Sequence, residues 1–347
     1  MTIQSTLLPE WAPQSGVMLT WPHAETLWFN MLDEIDAVFV EVTKAITQNE
    51  PVLIVCFDQV HQKRIIDLLD DANVNLNQVA TFLSPSNDIW VRDHGPLTGL
   101  YEDQPVLLDF VFNGWGEKYP YDLDNQVTRN LHKKGAFGKT FLSTVDLILE
   151  GGSVEVDGNG ALLTTSRCLL SASRQPHLSK DDISEALTRY FGLKKILWLD
   201  YGYLEGDDTD GHIDTLARFT DPHTICYVSC PDKDDPHYAP LQEMEAQLRT
   251  FTNAEGKPYR LVPLPWPKPQ YAKSDEHRLP ATYANFLIIN GAVLVPIYND
   301  PADTVAIQVL SSCFPDRKMI GINCVSVIQW HGSLHCMTMQ LPMGVLS

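Results

Sequence analysis

The stretch SKDDISEALTRYFGLKKILWLDYGYLEGDDTDGHIDTLARF, Ser179 to Phe219, contains every kind of element that recurs along this chain. Ser179–Phe191 spaces its apolar residues at helical intervals, with Ser179 as N-cap and Asp181 and Asp182 suited to the positive first turn. Ile196–Asp200 is a short apolar run and reads as a buried strand. A polar loop follows, and Gly211–Phe219 then alternates as a second strand. On a strand His212 and Asp214, two apart, would share one face, setting an imidazole beside a carboxylate.

The same cycle recurs outward from this stretch. Amphipathic helical segments are expected at Asp33–Asn49, Asn125–Phe137, Tyr238–Asn253 and Pro301–Phe314. The apolar strands that follow them are Val52–Phe57, Leu147–Glu150, Arg260–Leu264 and Met319–Asn323, and Phe286–Pro296 is another alternating strand. An extra helix, Gln59–Ala72, and strand, Val79–Leu83, enlarge the first unit. Polar signatures fall at equivalent points of the cycle, about 50 to 75 residues apart: Trp90-Val91-Arg92-Asp93, Glu150-Gly151-Gly152, Asp210-Gly211-His212-Ile213-Asp214, Tyr283-Ala284-Asn285-Phe286 and His335-Cys336. Five such units suit a radial array around a central pocket; an open α/β sheet uses the same elements and stays open here. The proline cluster Lys257–Gln270 reads as an extended surface loop, not a domain boundary.

Composition narrows the function. The 347 residues are 44% hydrophobic and 20% charged, an ordinary globular balance. Asp and Glu number 44 against 25 Lys and Arg, a formal charge of −19. That field disfavours nucleic acid and anionic membranes as partners and favours a cationic ligand. The first sixteen residues show no basic and apolar pattern of a signal peptide, so a cytoplasmic location is expected. Seven scattered cysteines, none in a CxxC pair, fit reduced thiols better than a disulfide framework.

Three segments carry the chemistry. In the first, Trp90 and Arg92 would share a strand face while Asp93 turns the other way, although an internal Arg92–Asp93 ion pair accounts for the pattern equally. Asp208-Thr209-Asp210-Gly211 imitates part of a calcium loop, but Gly206 and Ala217 stand where the first and last ligands belong. In the third segment Gly332 turns the chain into a strand carrying Cys336. There His335 would face away from the thiol, leaving His212 as the better base. His331 and His335 are four apart, but the intervening glycine argues against a helical metal pair. Two carboxylates, an imidazole and a thiol suit guanidinium, a flat permanent cation whose N–H fork carboxylates accept pairwise. Gripped between Asp93 and Asp214, its carbon would lie open to a thiolate.

With these motifs stand Leu8-Pro9-Glu10-Trp11, Trp21-Pro22, Phe112-Asn113-Gly114-Trp115-Gly116, Asp157-Gly158-Asn159-Gly160, Leu163-Thr164-Thr165, Tyr298-Asn299-Asp300-Pro301 and Gln340-Leu341-Pro342. In this order the chain resembles the agmatine deiminase family, grouped with bacterial-type peptidylarginine deiminases, over essentially its whole length. The resemblance implies an α/β pentein fold, five ββαβ units around a pseudo-fivefold axis, in one catalytic domain spanning residues 1–347. It implies Cys336 as nucleophile, His212 as general acid/base, and Asp93 and Asp214 as amidine-binding carboxylates. Glu150, Trp90, Asp208 and Asn285 would line or serve the substrate pocket, Asp208 near the substrate's amine end with Asp207 beside it. Agmatine is then the expected substrate, with no metal or organic cofactor. Arginine or peptidylarginine as substrate, or a guanidine- or polyamine-binding protein without catalysis, are the alternatives. A papain-like peptidase would carry its Cys before its His, the reverse of this order. The chain departs from the commonest family pattern at His331-Gly332-Ser333, where three glycines are usual, and at Asp208, where Glu is usual. A homodimer is the default assembly, two-fold dimers being the commonest soluble oligomers.

Overall fold

The computed structural model describes residues 4–346, so the first three residues of the N-terminal stretch read above lie outside it. Five sheets share one construction: two antiparallel strands, a helix, then a third strand parallel to the second. In the second unit Leu97–Tyr101 pairs antiparallel with Gln104–Val111, and Phe141–Ile148 returns parallel after the helix Val127–Lys133. The third pairs Glu155–Val156 with Ala161–Thr165 and returns through Lys180–Phe191 to Lys195–Leu199. The fourth runs Ala217–Asp221, Thr224–Val228, Tyr238–Leu248 and Arg260–Leu264. The fifth runs Leu287–Ile289, Ala292–Ile297, Ala302–Cys313 and Lys318–Asn323.

The first unit closes the ring. Its strand Gln14–Thr20 pairs antiparallel with Met339–Pro342 from the other end of the chain and parallel with Val52–Cys56, after the helix Leu32–Ile46. The extra helix Gln59–Asp71 and strand Val79–Leu83 extend this sheet by one parallel strand. This is the pentein arrangement, and the radial reading of the five-fold cycle holds over the open sheet.

Local chemistry explains the helices. Ser179 and Asp182 form a reciprocal capping box, and Gly192 ends the helix in the left-handed region at φ 65°. Its apolar stripe Ile183, Leu187 and Phe191 is buried. The proline cluster is only partly a loop: Arg260–Leu264 lies within it as a strand pairing with Thr224–Val228 on one side, and Pro263 there is exposed. No described helix is long and apolar enough to cross a membrane.

Five local expectations are corrected. The single strand expected at Phe286–Pro296 is a hairpin of two antiparallel strands, Leu287–Ile289 and Ala292–Ile297. The strand expected at Leu147–Glu150 lies earlier, at Phe141–Ile148. Residues 91–94 form one helical turn instead of a strand; over four residues a period of 2 and one of 3.6 are indistinguishable. His212 is the N-cap of a 3-10 segment, Ile213–Thr215, and Asp214 lies within it, with the strand starting only at Ala217. Cys336 sits in a turn over residues 334–337, ahead of the strand Met339–Pro342.

Candidate active site

Each polar signature occupies the segment joining the last strand of one unit to the first strand of the next. Five such segments meet at one end of the ring, which is how residues hundreds of positions apart converge. The turn bearing Asp93 is tied to the one bearing Cys336, since the Arg92 amide donates to the Cys336 carbonyl at 3.2 Å.

Asp93 is buried and accepts from the Trp115 indole N–H at 2.9 Å and the Gly152 amide at 2.9 Å. His212 Nδ1 lies 3.5 Å from Asp93 Oδ1. Asp214 Oδ2 lies 3.7 Å from the Cys336 sulfur, while Asp214 Oδ1 is buried with no hydrogen-bond partner. Gly152 stands at the junction. A Cβ there would come within 2.6 Å of His212 Nδ1, 2.8 Å of Asp93 Oδ1 and 3.2 Å of Asp214 Oδ2. The missing side chain therefore leaves free the space that these three groups face.

The charges of this cluster are interlocked. Burial raises the Asp93 carboxyl to about 6, against the lowering effect of His212. Burial also disfavours the His212 cation, but Asp93 beside it, then Cys168 and Glu150, outweigh this and hold the imidazole well above its ordinary value. One proton is thus shared between them, and at neutral pH it rests on the ring. Burial first, then Asp214 and Asp93, push the Cys336 thiol well above its usual range. In these surroundings the sulfur keeps its proton.

A cavity opens onto Cys336, lined by Asp93, Trp90, Trp115, Asp88, Tyr119, Asp208, Trp330 and Gly332 among others. Gly332, kept in the departing His331-Gly332-Ser333 run, is needed here: a Cβ would strike the Trp90 ring at 2.3 Å. Asp208 lines the cavity and accepts from the Tyr119 hydroxyl at 2.7 Å. Asp207 does not; its carboxylate accepts from the Thr209 hydroxyl and the Gly211 amide and shapes the loop.

Glu150 lies behind His212, outside the cavity lining. It is fully buried and accepts from Arg174 Nε at 2.7 and 3.0 Å, and Arg174 also donates to Asp210 and to the Thr209 carbonyl. Arg174 thereby pins the loop that presents His212. Asn285 donates toward the Cys336 sulfur at 3.3 Å and accepts from the His335 amide at 2.8 Å, holding the nucleophile's turn. The Arg92–Asp93 ion pair does not form: Arg92 turns to Gln340 Oε1 at 2.6 Å and toward Glu10.

Sequence reasoning missed Asp88, Trp115, Arg174 and Cys168. Only Trp115 carried a signal, inside Phe112-Asn113-Gly114-Trp115-Gly116. Glu150, Cys168 and His212 form a group with metal-ligand spacing, their ligand atoms within 4.8 Å of one another. Glu150 is already bound by the Arg174 guanidinium, which opposes a second cation there.

This arrangement has relatives. The model of the Porphyromonas-type peptidyl-arginine deiminase family matches residues 6–342. The chain belongs to that family. Among curated proteins, an agmatine deiminase of Ectopseudomonas mendocina (strain ymp) is 33% identical, the match covering 96% of this chain and 94% of that one. A Porphyromonas gingivalis structure provisionally assigned as an arginine deiminase is 48% identical at a TM-score of 0.92, covering 98% and 99% of the two chains. The structure of a C. jejuni agmatine deiminase, a Cys-to-Ser variant with substrate bound, is 39% identical at a TM-score of 0.90, covering 98% and 97%. As a member of the peptidyl-arginine deiminase family, the chain carries its signatures on a pentein ring.

Proposed function

We propose that this protein is an agmatine deiminase, one catalytic domain over residues 1–347, converting agmatine and water to N-carbamoylputrescine and ammonia. The observation that carries this reading is that two buried carboxylates, Asp93 and Asp214, converge on the Gly152 gap beside Cys336, with Asp214 Oδ1 left without a hydrogen-bond partner. A buried carboxylate oxygen without a donor is costly, and a guanidinium edge supplies that donor. Asp93 grips the other edge.

The same cation changes the thiol. It neutralises the two carboxylates that hold the Cys336 proton on, so with substrate bound the thiol releases that proton to water and the thiolate forms beside an imidazolium His212. The thiolate attacks the guanidinium carbon, forming a C–S bond and a tetrahedral adduct. His212, as imidazolium, protonates the departing nitrogen, the C–N bond breaks and ammonia leaves a thiouronium. Neutral His212 then takes a proton from water. The resulting hydroxide adds to the carbon, and collapse breaks the C–S bond to release the carbamoyl product and restore the thiol.

At the far end, Asp88 and Asp208 favour an ammonium over the carboxylate of free arginine. The curated agmatine deiminases and the substrate-bound C. jejuni structure support the same choice. The test is ammonia release from agmatine, arginine and peptidylarginine, with Cys336→Ala as control. Activity on peptides equal to or above that on agmatine removes the substrate assignment; native activity in the Cys336→Ala protein removes the mechanism.

A further inference from the structure

His335 is not the base for Cys336, and the reaction as written gives it nothing to do. Its surroundings do. His335 Nδ1 lies 2.8 Å from Asp214 Oδ2, and His335 Nε2 lies 2.6 Å from Glu10 Oε2. Glu10 comes from the N-terminal Leu8-Pro9-Glu10-Trp11 segment. Its Oε2 also accepts from Arg218 Nη2 at 2.8 Å, with Arg92 Nη2 at 3.7 Å, while its Oε1 accepts from the Ile288 amide at 2.7 Å. All of these side chains are buried.

We propose that Glu10 and His335 are positioning residues for the deiminase reaction: an imidazolium clamped between two carboxylates fixes Asp214 so that its free oxygen faces the substrate cation. The inference rests on the guanidinium-binding role given to Asp214 above. The geometry requires the charge. Glu10 is held below the usual carboxylate range, burial being outweighed by Arg218, His335 and Arg92. Asp214 is held low as well, burial being outweighed chiefly by the hydrogen bond and charge of His335. Neither acid has a proton to give, so both ring nitrogens must donate. Burial first, then Arg218 and Arg92, hold the imidazole below its ordinary value against Glu10 and Asp214; the two carboxylate oxygens at 2.8 and 2.6 Å, one on each ring nitrogen, still call for an N–H on both while the clamp is closed.

The clamp makes the two substrate carboxylates unequal. Asp93, raised to about 6, titrates. Asp214, faced by His335, His212 and the Cys336 sulfur, stays ionised through the same range. One of its oxygens is committed to His335, which leaves Oδ1 as the one open acceptor.

The test is the pH dependence of kcat and KM for agmatine in the full-length protein and in His335→Gln and Glu10→Gln. For the unaltered protein, the acid limb of kcat/KM is expected to follow one proton near pH 6. Without the cation behind it, Asp214 loses the hydrogen bond and charge that hold it low and, buried, rises to join Asp93 in titrating. Each variant should then show a two-proton acid limb and a KM at pH 6 raised about tenfold or more, with kcat falling less. Glu10→Gln is close to isosteric, so it carries the test if His335→Gln does not fold, as read by circular dichroism and melting. A one-proton limb retained in Glu10→Gln, or a loss by one factor at every pH with KM unchanged, overturns the relay. Failure of the unaltered protein to release ammonia from agmatine, when another guanidine in the panel is turned over, overturns the substrate instead. The variants are then read on that guanidine.

Discussion

Replacing Gly152 by alanine adds one methyl group at the point where the reacting groups meet. The backbone there needs no glycine for its torsion angles, since φ is not positive, so the effect is purely steric. The new carbon would stand 2.6 Å from His212 Nδ1 and 2.8 Å from Asp93 Oδ1. Non-bonded heavy atoms settle at about 3.5 Å or more, so the imidazole and the carboxylate must each retreat by up to about 1 Å. Overpacking of this kind costs about 1–3 kcal/mol of stability. Its effect on rate is expected to be larger, because a displacement of about 1 Å in positioning groups lowers turnover about 100-fold, or about 2.7 kcal/mol. The assay is ammonia release from agmatine beside a thermal melt, with Gly151→Ala as the contrast. A Cβ at Gly151 would meet the Arg92 carbonyl at 2.1 Å, backbone that cannot yield, so that variant should lose folding along with activity. Gly152→Ala should fold and melt within several degrees of the parent while kcat/KM collapses. Wild-type kcat/KM in Gly152→Ala would refute the placement of the reaction at this junction.

Other outcomes follow from the same geometry. Burial lifts the Asp88 carboxyl to about 6, so it loses its charge as pH falls through that value. Asp88→Asn should raise KM for agmatine about tenfold at pH 8, with little effect on a guanidine lacking a distal amine, as steady-state kinetics on both will show. Arg174→Gln strands Glu150 and Asp210 without their buried partner. It is expected to lower stability by about 3–5 kcal/mol and to abolish activity by releasing the His212 loop, read by denaturant unfolding. Burial raises Glu50 from 4.5 to about 7; the folded state keeps that proton where the unfolded chain has released it, so stability declines as pH rises through this window. Glu50→Gln, which preserves an acceptor for the Asn290 amide, should stabilise the protein by about 1–3 kcal/mol at pH 8 and leave it unchanged near pH 4. Melts at the two pH values distinguish this from a general packing effect.

Much of the architecture is written locally. Helical spacing, the Ser179 cap and the apolar strands are set by neighbours within a few residues, so they are legible without any fold. The recurrence of a polar signature between units marked Asp93, His212, Asp214 and Cys336, and guanidinium chemistry followed from their residue types. Where local signals were short they misled: Trp90–Asp93 and Gly211–Asp214 have too few residues to reveal their period, and tertiary packing bends both into turns.

What the tertiary structure alone decided are pairings beyond the reach of local sequence signals. Closure of the ring by Met339–Pro342 on Gln14–Thr20 is one. Asp88 became an acidic wall of the cavity because the fold buried it beside Trp28, whose indole donates to it at 2.9 Å. Glu150 and Arg174 became a brace behind His212, and Glu10 and His335, 325 positions apart, became the clamp on Asp214. A carboxylate reads the same in sequence whether it grips a substrate, anchors a loop or orients another acid. Burial and the charge facing it assign the role, and both are properties of the folded chain alone.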